Sequence, residues 1–207
     1  MSYRDHLITS IGQLRELYGE RSKAAILKEI DRLNGGYRKL VEAAPFVVVA
    51  TAGPEGLDCS PKGDAPGFVR VLDDKTLALP DRPGNNRIDG FTNILRDPRI
   101  ALLFLIPGVG ETLRVNGRAS ITVDPELMRG FAVNGKLPRC VLIVHIESIY
   151  FHCSKAIVRS RLWDESARAD RKGLPSPGTL IAELSCGELG GESYDREVPQ
   201  RIEATLY

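Results

Sequence analysis

The sequence predicts a mainly β fold of the α+β class: an antiparallel sheet or small barrel, with helices ahead of it and around it. Six strand-like runs lie between residues 46 and 153, most are joined by short turns, and few helical segments separate them. Parallel strands need crossovers of a dozen or more residues, so short links between successive strands favour antiparallel pairing.

The first 43 residues read as helices. Between 5 and 18, Leu7, Ile8, Ile11, Leu14, Leu17 and Tyr18 recur on one helical face. Ser22 is placed to cap a second helix, SKAAILKEIDRL, which Asn34-Gly35-Gly36 closes. A third, YRKLVEAA, runs to Pro45. The pattern then switches to β-branched runs: FVVVATA (46–52), FVRVLD (68–73), TLALPD (76–81), RIALLFLI (99–106), ETLRVNGRASITV (111–123) and CVLIVHIESIYFHC (140–153). Between the first two, LDCSPKGDAPG is polar and broken by prolines, which reads as a loop. Helices are expected from about Ile88 to Leu95 and from Pro125 to Phe131. From Asp164 onward the chain is polar and glycine-rich; GTLIAEL (178–184) reads as one short helix and the remainder as loosely packed.

A chain of 207 residues with an ordinary apolar and charged mix supports one packed domain with extensions. A net charge of +1 gives no electrostatic ground for a nucleic-acid or membrane-surface partner. No apolar run reaches the length of a membrane span, and the first twenty residues are too polar for a signal peptide, so the cytoplasm is the expected address. The cysteines at 59, 140, 153 and 186 form no CxxC pair and fit no zinc spacing. Cys140 and Cys153 lie in apolar runs and read as small buried hydrophobes. His152 and Cys153 would point to opposite faces of a strand, so no metal site is expected.

One corner stands out. The apolar run ends at Pro80-Asp81, and Arg82, Pro83, Gly84, Asn85, Asn86 and Arg87 follow before a helix begins. Two arginines and two amides beside a helix N-terminus suit an oxyanion. The same residues suit a solvated turn with Asn86 as the helix N-cap. Ser60-Pro61-Lys62 puts a hydroxyl and an ammonium in a Pro/Gly-bounded stretch. Thr112 and Arg114 share a strand face. Lys155, Arg159 and Arg161 gather near Trp163, the only tryptophan. Taken singly, these charges read as surface groups and Trp163 as packing. There is no GxGxxG after a strand, no GxxxxGK[ST], no GxSxG, and only three histidines. The catalytic residues are therefore unknown, and the hard chemistry of any enzyme here belongs to a bound cofactor.

From about Ala44 to Trp163 the chain resembles the FMN-binding split barrels related to pyridoxamine 5′-phosphate oxidase. The most specific parts are the unit LALPDRPGNNRIDGFTNILRDPRIALLFL and the later LRVNGRA; SPKGD and FHCSKAIVRSRLW fit a particular branch of that family. The resemblance implies a six-stranded antiparallel split β-barrel over residues 44–163, between a helical extension at 1–43 and a tail at 164–207. It implies a homodimer with FMN at the subunit interface. The corner Arg82, Asn85, Asn86 and Arg87 would hold the phosphate. Leu79, Pro80 and Asp81 would lie along the ribityl chain or ring, and Ser60, Pro61 and Lys62 would approach the isoalloxazine. Thr112 stands where the oxidase carries a glutamine touching the flavin, with Arg114 beside it. Lys155, Arg159, Ser160 and Trp163 would come from the second subunit. The corner departs from the oxidase's serine-arginine-lysine pattern, and its C-terminal substrate-phosphate signature is not recognisable. The implied function is an FMN-dependent oxidoreductase acting on another small molecule or on a nicotinamide. The alternatives are a non-catalytic flavin-binding or sensing protein, or a split barrel holding deazaflavin or haem. The N-terminal helices are expected to pack on the barrel.

Overall fold

The computed structural model describes residues 2–207. Its centre is a curled antiparallel sheet of seven strands, in the order β2-β1-β5-β6-β7-β4-β3. The strands are β1 (Phe46–Gly53), β2 (Gly56–Gly63), β3 (Arg70–Val71), β4 (Thr76–Pro80), β5 (Arg99–Leu105), β6 (Thr112–Thr122) and β7 (Val141–His152). Alternation fixes their faces: Val47, Val49, Leu102, Phe104, Leu113 and Val115 all point inward and are at most 4% exposed. Leu77, Leu79, Val144 and Ile146 complete the core from the other half of the sheet, and Tyr37 and Val41 of α3 (Gly35–Ala43) pack against it.

The ladder does not close. β3 pairs with β4 only at Arg70↔Ala78 and Val71↔Leu77, so the last residues of β4 have no strand beyond them. The end of β2 meets them through side chains instead. Lys62 Nζ lies 2.6 Å from Asp81 Oδ1, and Arg82 Nε lies 2.7 Å from Asp64 Oδ2. The result is a split barrel with one seam. The helix α4 (Asp89–Arg96) packs against β1 and β2 beside it, burying Ile94 and Asn93, whose amide donates to Thr51 Oγ1 at 3.2 Å.

Several elements differ from expectation. The polar stretch expected as a loop is β2, paired along its length with β1, including Pro61 opposite Val48. Proline has no N–H for a ladder, and β2 tolerates it because it is an edge strand. The run 68–73 keeps only two residues of strand. Asn34 does not end a helix: its Oδ1 accepts Tyr37 N at 2.8 Å and caps α3. The second helix shrinks to α2 (Lys23–Leu27), and the first to α1 (Ile11–Tyr18) after a 3-10 turn. Neither buries a residue: Leu7, Ile8, Ile11, Leu14, Leu17, Tyr18, Ile26 and Leu27 are all exposed, so these helices do not pack on the barrel as expected. Cys153 is exposed, not buried; Cys140 is half-buried. The remaining helices are α5 (Pro125–Gly130), α6 (Lys155–Ser160), α7 (Pro177–Leu184) and α8 (Gly191–Thr205). The tail is not loose: α7 and α8 pack on each other, Gly178 N donates to Asp195 Oδ1 at 2.8 Å, and Tyr207 returns to the seam. No helix among the described residues is long and apolar enough to cross a membrane.

Candidate functional site

A cavity of about 440 Å³ opens at the seam, within the size range of small-molecule sites. One wall is β2, whose Asp58, Ser60 and Lys62 share the inward face because they alternate. The other is the corner after β4: Pro80, Arg82, Pro83, Gly84, Asn85 and Arg87. Asp89, the first residue of α4, completes it. Eight of the sequence-predicted residues meet in this one region: Ser60, Pro61, Lys62, Pro80, Arg82, Asn85 and Arg87 line the cavity, and Asp81 holds Lys62 from behind. Leu79 is 1% exposed and belongs to the core.

The three lining cations are differently engaged. Arg82 is enclosed: Nε binds Asp64, Nη1 donates to the Phe131 carbonyl at 2.8 Å, and the guanidinium lies 5.5 Å from the Tyr207 ring centre. Lys62 is shared between Asp81 and the face of Phe91, 5.2 Å away. Arg87 pairs with Asp89 at 2.7 Å, yet its side chain is 74% exposed. Ion pairs so exposed contribute little, so Arg87 exchanges its partner at small cost. The lining carries three cations and the carboxylates Asp58 and Asp89, and Asp81 and Asp64 behind it pair with Lys62 and Arg82, so each cation already has a carboxylate partner.

The corner itself is tied by its amides. Asn85 Oδ1 accepts Arg87 N at 3.0 Å. Asn86 is not the cap of α4, as the turn reading had it; Ile88 occupies that position without a side-chain bond. Asn86 sits at φ 61°, a conformation asparagine tolerates, and its Oδ1 accepts from Arg139 Nη1 at 2.6 Å. Sequence reading missed Arg139. It lies far along the chain and reaches the corner only because Asp81 and residues 139–140 exchange backbone bonds at 2.9 and 3.1 Å. Arg139 forms no ion pair among the described residues.

Tyr207 and Asp64 were also missed. Burial pushes the Asp64 carboxyl up, but hydrogen bonds from Tyr207, the Ala65 N–H and Arg82 outweigh it and hold the group below the usual carboxylate range. Their contact spans nearly the whole chain, and no local pattern announces it.

The other predicted residues lie elsewhere. Thr112 and Arg114 are on the outer face of β6, Arg114 in register with Leu103, while Lys62 faces inward three strands away. Trp163 Nε1 donates to the Val109 carbonyl at 2.7 Å. Lys155, Arg159 and Ser160 are exposed on α6. One chain therefore does not bring these six residues to the seam.

A family model described as pyridoxamine 5′-phosphate oxidase matches residues 33–153, more than half of the chain. The chain belongs to the pyridoxamine 5′-phosphate oxidase family. The match spans α3 through β7, the whole barrel and its seam, and stops before α6. No curated protein matches the chain. Among solved structures it is similar to HupZ of Group A Streptococcus, at 21% identity over 59% of this chain and 95% of that one, with a TM-score of 0.48. A candidate pyridoxamine 5′-phosphate oxidase of Lactobacillus delbrueckii is 22% identical over 58% and 95%, with a TM-score of 0.45. A protein named F420 reductase is 20% identical over 56% and 98%, with a TM-score of 0.42.

Proposed function

We propose that the chain is a flavoprotein that binds FMN at the seam and serves as an oxidoreductase on a small molecule, as a homodimer. Family membership supports flavin binding. The observation that carries the FMN reading is Arg87: an exposed guanidinium with an easily exchanged partner, lining the seam cavity.

In this reading Arg87 takes the FMN phosphate in place of Asp89, and the Asn85 amide of the same lining adds a donor. Arg82 has a supporting part: tied to Asp64 and the Phe131 carbonyl, it fixes the corner's path. Ser60 offers a hydroxyl, already donated to Asp58 at 2.9 Å, that can turn toward a ligand. Lys62 holds a positive charge against the apolar wall, where it favours an anionic ring. A bound flavin supplies hydride and electron transfer; the residues here bind, orient and bias it.

The dimer is part of the same proposal. The outer face of the sheet presents Val48, Ala50, Ala101, Leu103 and Leu105, all half-buried, with Phe46 37% exposed. A second copy seated there would cover apolar surface and could bring Thr112, Lys155, Arg159, Ser160 and Trp163 toward the first copy's cavity.

The test is titration of purified protein with FMN, followed by flavin fluorescence, with a deazaflavin cofactor run in parallel. Saturable FMN binding that weakens at least tenfold in Arg87→Ala is expected, since a charge-assisted hydrogen bond is worth about 1.5–3 kcal/mol. Preference for the deazaflavin, or indifference to Arg87→Ala, would refute the proposal. A flavin reduced by NADH or NADPH would mark turnover; binding without reduction by any donor would leave a binding protein.

A further inference from the structure

Tyr207 touches both partners of one tie across the seam. Its hydroxyl donates to Asp64 Oδ1 at 2.7 Å, and the Arg82 guanidinium lies 5.5 Å from its ring centre. Arg82 Nε binds the other oxygen of the same carboxylate at 2.7 Å. A third contact comes from the turn closed by Val133 and Lys136: Lys136 Nζ donates to the Tyr207 carbonyl oxygen at 2.7 Å. Just before that turn the Phe131 carbonyl accepts from Arg82 Nη1. Three pieces of chain distant in sequence (the end of β2, the corner after β4 and the turn after α5) thus meet at one residue.

The tail that carries Tyr207 has little else to hold it on the barrel. α7 and α8 pack on each other, and Asp195 of α8 accepts from Ser176 Oγ and from Gly178 N, which joins the two helices into one unit. They are so close that a Cβ on Gly178 would come 2.3 Å from the Gly191 carbonyl oxygen. Yet α8 buries no residue and α7 buries only Gly178. At its near end the tail is anchored by Trp163, which donates to the Val109 carbonyl. Among the described residues no hydrogen bond or ion pair joins residues 165–206 to the chain before α6. Helices this short and this exposed are marginal alone, so the far end of the tail depends on what Tyr207 holds.

We propose that residues 164–207 form a strap across the seam whose clasp is Tyr207, and that strap and seam open together. When Tyr207 leaves, the enclosed Asp64 carboxylate loses a donor and Arg82 loses its aromatic cover. When the Asp64–Arg82 tie parts, Tyr207 loses the geometry of its acceptor and the cation against its ring. Each event therefore favours the other by the same free energy. Arg82 also lines the cavity, so the strap sets how readily that wall parts for a ligand, whatever the ligand is. The inference stands without the flavin reading.

The test is amide hydrogen exchange of the full chain, with no ligand added, in wild type, Tyr207→Phe and Lys136→Met. The amides of α8 report on the strap and those of β5 and β6 on the core. The seam is reported by Asp64 N, bonded to the Pro45 carbonyl at 3.0 Å, and Asp81 N, bonded to the Cys140 carbonyl at 2.9 Å. Tyr207→Phe removes only the hydroxyl. It should speed exchange about tenfold in α8 and at both seam amides, as loss of a hydrogen bond to a charged group implies, and leave β5 and β6 within about twofold. Lys136→Met removes the other hold on Tyr207 without altering the seam tie, and should move α8 and the seam amides in the same direction. Reciprocally, Arg82→Lys, which keeps the charge, should speed exchange in α8. The proposal is overturned if Tyr207→Phe leaves α8 unchanged, or if α8 does not respond to Arg82→Lys. It is equally overturned if α8 speeds up while both seam amides hold still, because the tail then docks without coupling. Acceleration of β5 and β6 to the same degree as α8 also overturns it, since the loss is then global and no local clasp exists.

Discussion

The side chain of Asp64 is only 4% exposed and stays ionised because Tyr207, Arg82 and a backbone N–H all donate to it. Arg82 is its only cationic partner among the described residues. Removing one member of an enclosed ion pair strands the other, so Arg82→Ala is expected to lower unfolding stability by about 3 kcal/mol at neutral pH. Arg87→Ala, which frees an exposed pair, should cost under about 1 kcal/mol. The sign of the pH dependence follows from the depressed pKa of Asp64. Its contribution is complete above the ordinary carboxylate value, about 3.9, and is lost as pH falls through the lower folded value. Urea unfolding between about pH 7 and pH 3 should show wild type losing stability in acid while the Arg82→Ala deficit narrows, because protonation spares the stranded carboxylate. A deficit unchanged with pH would show that the pair is not what Arg82 contributes.

At the scale of elements, the β6–β7 pair sets the barrel's curvature. The register slips between Asn116 and Gly117, and a Cβ on Gly117 would come 2.0 Å from the His145 carbonyl oxygen. Gly117→Ala must therefore push the strands apart. It should cost at least about 2 kcal/mol by thermal or urea unfolding, as overpacking does; a neutral substitution would mean the bulge relaxes freely. This level also shows what a sequence displays and what it hides. The alternation in RIALLFLI and LRVNGRASI made β5 and β6 plain, because half of each strand faces a continuous core. β2 was hidden because its inward face carries Asp58, Ser60 and Lys62: a strand facing a cavity looks like a loop. α8 was hidden for a related reason, since it buries no residue and so carries no apolar stripe to read. In the site, Arg82 through Arg87 were legible as a local cluster. Arg139, Asp64 and Tyr207 were not, because only the folded chain brings Arg139 to Asn86, and Asp64 and Tyr207 to Arg82.

For the whole molecule, the exposed apolar surface includes the outer sheet face around Phe46 and the stripe of Ile11, Leu14 and Tyr18 on α1. The proposed dimer covers the first. Sedimentation at micromolar concentration should give twice the chain mass, and Phe46→Asp should shift it toward the single chain with the circular dichroism of β structure retained. A wild-type monomer would remove the shared-site arrangement while leaving the seam cavity untouched.

The seam of this barrel is stapled by the carboxylates and cations of four side chains. Parting it breaks no rung between strands. Opening there is then a matter of two ion pairs parting and not of a ladder unzipping, and the enclosed Arg82–Asp64 pair is the costlier of the two to part.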